Sequence, residues 1–475
     1  MKQGQPIIHQ TYHAKDMNLL EGPLLGKVFL FSLPLMATNL LQVFYNAADM
    51  IIAGMSGVDG AIGSIGTTAA MINLILNVFM GFAIGTNVVV ARYIGRGDAD
   101  KVEKSVHTSL VMAAIFGLFT GLLGQIICRP ALKLLGDQGH ILELATLYTR
   151  IYFIGAPFMA ISNYQIAIFR AKGDTRTPLF VLTGTGLMNV LMNLFFVLVM
   201  GMSVDGVALA TVLSNVLSMV ILGVIQIRDD GICHLSLKKL SIDRFAFREI
   251  FKNGLPAGIQ GGLFSLSNMI IQSAIIGINN TLCPGGSDII DGNAAGSSLE
   301  SFAYTATNSV YQAAVTFTSQ HFGAGKIKRI GSVMKNCYLV TTIIAVIVSA
   351  ILIGFRYPLI SLYVSGDQAV ATATTRLYVM CSMYFLLAWM EVGSGVLRGF
   401  GRSFTSTVIT LAGTCVFRII WIWCVVPLVP NLVMIYLSYP ISWGMTGLMH
   451  LIFSLKIRKN YLKQQVAKQP AEDYN

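Results

Sequence analysis

The sequence predicts an all-α integral membrane protein with twelve transmembrane helices, arranged as two pseudo-symmetric six-helix bundles. Three observations carry that expectation. The first is composition. Of 475 residues, 54% are hydrophobic and 12% charged, and the mean hydropathy is +0.67. Soluble domains carry about 25% charged residues, so most of this chain belongs in lipid. The second is a repeat. Gly95 and Gly97 recur as Gly323 and Gly325, and Arg170 and Gly173 recur as Arg398 and Gly401, always 228 positions later (323 minus 95). Leu33-Pro34 and Leu255-Pro256, like Asn46 and Asn268, stand 222 apart, which implies an insertion of six residues (228 minus 222) between the two sets. The third is charge. Basic loops at 92–104, 170–176, 228–252, 326–335, 398–402 and from 456 alternate with segments 54–60, 201–205, 277–300 and 427–431, which contain no Lys or Arg.

Each element follows in order. A bilayer core of roughly 30 Å needs about 20 apolar residues per helix. Apolar runs of that kind begin near Leu24, Ala61, Ser105, His140, Pro178 and Gly206 in the first copy. Those of the second begin near Ile250, Ser298, Ser332, Val370, Thr405 and Leu432. The basic loops mark the cytoplasmic side, with Arg129, Lys133 and Arg356 as exceptions, so both termini are expected in the cytoplasm. Six spans per copy give the two copies one orientation, with an axis along the membrane normal.

The expected organisation is a cytoplasmic segment 1–23, a first bundle 24–227, a linker 228–248, a second bundle 249–455 and a cytoplasmic tail 456–475. Segment 1–23 is polar and lacks the apolar core of a cleavable leader. Lys238, Lys239, Arg244 and Arg248 suit a linker lying along anionic headgroups. The Gly-, Asp- and Ser-rich stretch 277–297 reads as the longest loop on the opposite side. The net charge of +11 is accounted for by the basic loops and implies no nucleic acid. Seven scattered cysteines without a Cys-x-x-Cys pair read as small buried hydrophobes. Asn279 heads a chance glycosylation triplet.

The candidate functional residues are polar side chains inside apolar runs. Asp49 stands in the first span, where a central acid costs about 2.5–3.5 kcal/mol on insertion scales. Such acids mark ion or proton paths. Asn39, Gln42, Asn46 and Asp49 share one helical face. The second copy has Ile271 at the equivalent of Asp49, so the carboxylate is confined to the first bundle. Asn189 and Asn193 stack at i, i+4 in the fifth span, and Thr211 and Asn215 do so in the sixth. Their oxygens suit a small cation, although interhelical hydrogen bonding is an equal alternative. Tyr304, Asn308, Tyr311 and Gln312 form a stripe in the eighth span, joined by Gln260, Asn268 and Gln272 in the seventh. That stripe, with Asn39, Gln42, Tyr45 and Asn46 of the first span, suits a water-lined cavity for amphipathic molecules, and aromatic faces hold organic cations. Glu391 is a second intramembrane acid, seven residues before Arg398. Gly95, Gly97, Gly323 and Gly325 read as turn glycines at helix ends. Gly323-Ala-Gly-Lys326 lacks Walker spacing, so no nucleotide site is expected, and no enzyme motif is present.

These residues resemble multidrug and toxic compound extrusion (MATE) transporters across nearly the whole chain. The resemblance is carried by Leu33-Pro34, Tyr45-Asn46-x-x-Asp49 with Gly54, and Ala91-Arg92-x-x-Gly95-x-Gly97. Further carriers are Phe169-Arg170-Ala-x-Gly173-Asp174-Thr-x-Thr-Pro178, Gly206-Val-Ala-x-Ala-Thr211 and Gly395-Val-Leu-Arg398-Gly-x-Gly401. It implies two bundles around a central cavity and export of organic, often cationic, drugs or metabolites in exchange for H+ or Na+. It also implies a coupling role for Asp49, Asn189 and Thr211, and a possible Na+ at Asn189, Asn193 and Thr211. Many relatives carry an acid where Asn193 stands. The acids of another branch would fall near Phe264 and Leu387, which are apolar. A monomer in the plasma membrane, a small-molecule substrate and no cofactor beyond the coupling ion are expected. A lipid-linked substrate flippase is the alternative. Its cationic cavity would draw on Arg150, Arg376 and Arg418.

Overall fold

The computed structural model describes residues 17–467 apart from 59, 135–138 and 283–285. Cys283, most of 1–23 and the end of the tail lie outside the described residues. The first half contains α1 (Leu24–Gly54), α2 (Ala61–Arg96), α3 (Ala99–Leu134), α4 (Gly139–Ile154), α5 (Ala156–Lys172), α6 (Arg176–Leu194) and α7 (Val204–Ile227). The second contains α8 (Arg244–Leu282), α9 (Asp288–Gly323), α10 (Ile327–Gly354), α11 (Arg356–Ile360), α12 (Asp367–Cys381) and α13 (Tyr384–Gly399). It ends with α14 (Ser403–Thr410), α15 (Phe417–Cys424) and α16 (Leu432–Ala467). Wider π turns extend α6 over Phe195–Val199 and join α14 to α15 over Leu411–Val416.

Among the described residues, 9 helices are long and apolar enough to span a membrane, and two bent pairs raise the number to 11. The twelfth is α9, which has the length, 36 residues, but not the hydropathy. Asn293, Glu300, Asn308, Gln312 and Gln320 run along it. The bent pairs, α4 with α5 and α12 with α13, each turn by 50°. Their breaks, at Gly155 and Met383, are also 228 positions apart (383 minus 155). Lipid-facing stripes are plain on single helices. Ile115, Leu118, Leu122 and Ile126 of α3 are exposed at helical spacing, as are Leu339, Ile343, Val346 and Ile351 of α10.

The supposed loop 277–297 is mostly helix. α8 continues to Leu282 and α9 starts at Asp288, ten residues before the expected Ser298 (298 minus 288). Asn279 closes the short turn between them. Its Nδ2 donates to the Gly286 carbonyl at 2.8 Å and its Oδ1 accepts the Ile289 amide at 3.2 Å. At 2% exposure Asn279 is a structural residue.

Chain contacts divide the protein into two compact units. One comprises Tyr45–Leu255, Thr316–Lys326 and the described part of Met1–Pro23. The other comprises Leu24–Phe44, Pro256–Val315 and the described part of Ile327–Asn475. Thus α1, α8 and α9 each contribute to both.

The repeat glycines have two different duties. Gly97, Gly173, Gly325 and Gly401 have φ of 70°, 101°, 69° and 74° and end their helices. In each case the glycine amide bonds the carbonyl three residues back, and the next amide reaches five back, as in Asp98 to Tyr93 and Arg402 to Leu397. Gly95 and Gly323 differ from expectation. Neither has positive φ, and both lie inside helices. A Cβ at Gly95 would collide with the Gln320 carbonyl, and one at Gly323 with the Arg92 carbonyl. Within the first unit these two glycines let the ends of α2 and α9 touch through their backbones.

Candidate functional site

The first unit brings Asp49, Asn189, Asn193 and Thr211 together. Three helices place them. The C-terminal end of α1 lies against α6 because Gly186 has no side chain. A Cβ there would enter the Tyr45 ring. Tyr45 Oη then donates to the Thr183 carbonyl at 3.2 Å. Ser218 of α7 donates to Thr185 Oγ1 of α6 at 2.7 Å, fixing the second helix pair. Asp49 sits five residues before the end of α1 (54 minus 49), nearer its end than its middle, yet is 8% exposed.

The four side chains form a closed ring. Asn193 Nδ2 donates to Asp49 Oδ1 at 2.5 Å and to Asn189 Oδ1 at 3.3 Å. Asn189 Nδ2 donates to Thr211 Oγ1 at 3.5 Å. Thr211 Oγ1 stands 3.5 Å from Asp49 Oδ2 and 3.0 Å from the Val207 carbonyl, and its single proton can serve one of them. Asn189 is 5% exposed and Asn193 fully buried. Asn193 Oδ1 has no partner among the described residues. An unpaired buried acceptor of this kind costs about 1–3 kcal/mol. The ring therefore offers a carboxylate, an orphan amide oxygen, a second amide oxygen and a hydroxyl. These are hard ligands suited to a proton or a small cation.

The sequence reading omitted two neighbours. Tyr148 and Tyr152 of α4 lie within electrostatic reach of Asp49 and stack on each other with centroids 6.1 Å apart. Their i, i+4 spacing was the available signal, but such aromatic pairs usually report packing.

The cavity candidates fall into separate groups. In the second unit, Arg398 donates to Tyr311 Oη and to Gln260 Oε1, both at 2.8 Å. Gln312 donates to Asn308 Oδ1 at 2.9 Å. Glu391 lies within electrostatic reach of Arg398, Tyr304 and Tyr311 and forms no ion pair among the described residues. Gln272 belongs elsewhere. It accepts from Asn293 at 3.1 Å, beside Arg376, which binds Asn293 Oδ1 and Glu300 Oε2, both at 2.7 Å. Asn39, Gln42, Asn46 and Asn268 join none of these groups. Asn39 is partly buried, and the other three are exposed. Arg150 is also exposed.

Comparison with known proteins adds three findings. The MatE family model matches residues 34–195 and 256–424, two stretches that begin 222 positions apart (256 minus 34). The chain is 23% identical over 394 residues to the probable multidrug resistance protein YoeA of Bacillus subtilis, covering 80% of this chain and 82% of that one. It is likewise 23% identical to a FAD transporter of Shewanella oneidensis, covering 84% and 87%. Among solved structures, a multidrug resistance MATE transporter in an outward-facing conformation superposes with a TM-score of 0.86 at 19% identity. That match covers 95% of this chain and 100% of that one.

Proposed function

Since the chain belongs to the MatE family of membrane transporters, we propose that it exports organic, often cationic, small molecules by exchange with H+ or Na+. The closed ring at Asp49 supports this reading most directly. It holds a buried carboxylate among oxygen ligands, with one acceptor left unpaired. A proton or Na+ entering there supplies the missing donor or Lewis acid. The ion moves the transporter only by binding one conformation better than the other. The ring joins α1, α6 and α7, so its occupancy bears on how those helices pack. The multidrug names of relatives agree with this substrate class.

In this reading the basic loops face the cytoplasm, the protein sits in the plasma membrane, and the repeat gives bundles 24–227 and 249–455. The polar stripe of α9 with Gln260 and Tyr311 lines the substrate path. The flippase alternative has less support. It requires converging cations, but Arg150 is exposed and Arg376 is taken up by Glu300, which leaves Arg418 alone.

The test is efflux of ethidium from cells or inverted vesicles with an imposed H+ or Na+ gradient. Asp49→Asn keeps the shape of the ring and removes its charge. The expected result is normal insertion with efflux at background. Gradient-driven efflux at the parental rate by that variant would overturn the proposal.

A further inference from the structure

We infer that the second unit contains an oxyanion-binding subsite at Arg418, which takes a carboxylate or phosphate group of an amphipathic substrate. The inference rests on the export reading above and refines its substrate class. It starts from a charge that lacks a partner. Arg418 is 4% exposed. Its Nε donates to Ser442 Oγ at 2.9 Å. Its two terminal nitrogens have no hydrogen-bond partner among the described residues, and it forms no ion pair there. The nearby cation, Arg376, is buried and stacked as well, but its guanidinium is fully paired. Glu300 receives both its Nε and its Nη2, and Asn293 receives its Nη1. Glu300 is thus committed to Arg376, and one positive charge in this group remains uncompensated.

The surroundings hold the guanidinium in a fixed pose. Its central carbon lies 4.1 Å from the Tyr439 ring centroid and 5.9 Å from that of Trp443. Stacking on Tyr439 with Nε tied back leaves the two-nitrogen fork free. That fork matches the paired oxygens of a carboxylate or phosphate. The backbone contributes as well. The π turns over Leu411–Val416 end two residues before Arg418 and shift the helix register there. Such bulges are frequent at functional sites. Gly413, inside the bulge, allows α16 to approach so closely that a Cβ would meet Thr446 Oγ1. A buried arginine with stacking but no counter-ion is costly in a membrane domain, and intramembrane charges are functional by default. An incoming oxyanion supplies the missing counter-charge, and the partly exposed Tyr439 ring, backed by the buried Trp443, provides apolar surface for the rest of the molecule.

Binding of 5-carboxyfluorescein and of rhodamine 6G to the purified full chain, followed by fluorescence polarisation in dodecyl maltoside, tests the inference. Wild-type protein should bind carboxyfluorescein about ten-fold more tightly than its dimethyl ester, in which both carboxylates are blocked, since the fork contacts only a free carboxylate. Arg418→Gln should weaken carboxyfluorescein about ten-fold and leave rhodamine 6G unchanged, and Arg418→Lys should fall between, because lysine keeps the charge but not the fork. Nanodiscs separate the sources of the anion. Competition by phosphatidylglycerol but not by phosphatidylcholine, whose phosphate is balanced by choline, identifies an anionic lipid headgroup as an occupant. Equal binding in both lipids leaves the substrate's own oxyanion. Equal wild-type affinity for the dye and its ester overturns the inference without any variant. So does parental carboxyfluorescein binding by Arg418→Gln. Rhodamine 6G efflux by the same variants in cells or inverted vesicles reports on the export reading separately.

Discussion

Gly95 and Gly323 make a prediction that no turn glycine would make. Each faces a backbone carbonyl of the other helix, Gln320 and Arg92 respectively. Gly95→Ala or Gly323→Ala inserts one methyl into a gap that the opposing backbone already fills. A carbonyl cannot swing aside as a flexible side-chain tip can, so α2 and the end of α9 must separate locally. Overpacking of this kind costs typically 1–3 kcal/mol, and a backbone neighbour puts these sites at about the upper end. The two contacts belong to one crossing. Once one substitution has spread the helices, the second should cost less, giving a favourable coupling of about 1 kcal/mol in the double variant. Gly97→Ala is the internal control. Gly97 has φ 70° and open space around its Cβ position, so its replacement carries only the left-handed penalty of about 1 kcal/mol. Thermal unfolding in detergent, followed by scanning fluorimetry, should therefore rank Gly95→Ala and Gly323→Ala below Gly97→Ala, with a less than additive double variant. Equal melting temperatures for all three single variants, or strict additivity, would refute the close-approach assignment.

Three further outcomes follow from named contacts. Glu300→Gln removes the carboxylate that holds Arg376, 6% exposed, and should destabilise the protein by about 3–5 kcal/mol, read as a lower melting temperature. Exchanging Glu300 and Arg376 together for Gln and Met should restore most of that loss. Gly186→Ala drives the Tyr45 ring away from α6 and should reduce efflux together with stability, whereas adding Tyr45→Ala should relieve both. Asn193→Leu deletes the donor to Asp49 and Asn189, and loss of a bond to a charged group is worth about 1.5–3 kcal/mol. Efflux should fall at least ten-fold while Asn215→Ala, outside the ring, stays near the parental rate.

Much of the site was legible because lipid makes polar residues conspicuous. Asp49, Asn189, Asn193 and Thr211 each interrupt an apolar run, and the i, i+4 spacing of the two asparagines already put them on one face. What the sequence could not supply was the closing partner of each side chain. Glu300 and Arg376 are 76 positions apart, and nothing local pairs them. Tyr148 and Tyr152 look like any aromatic pair on a buried helix. The fold was legible through its repeat, but adjacent glycines in Gly-x-Gly can serve as a turn or as a contact surface, and only the tertiary partner decides. The start of α9 was hidden for a similar reason. Its Gly-, Asp- and Ser-rich beginning has poor helix propensity, yet Asn293 and Glu300 bind Arg376 and Asn279 anchors the preceding turn, so tertiary bonds override the local preference.

Ion counterflow tests the coupling role of Asp49 most directly. Purified protein in liposomes, loaded with ethidium and with no imposed gradient, should move H+ or Na+ inward as the dye leaves. The counterflow is read with a lumenal pH-sensitive dye or with radioactive sodium. The wild-type chain should show counterflow of one of the two ions in proportion to dye movement, and Asp49→Asn should show none. Dye movement without counterflow of either ion in the wild type, or undiminished counterflow in the variant, would contradict the account.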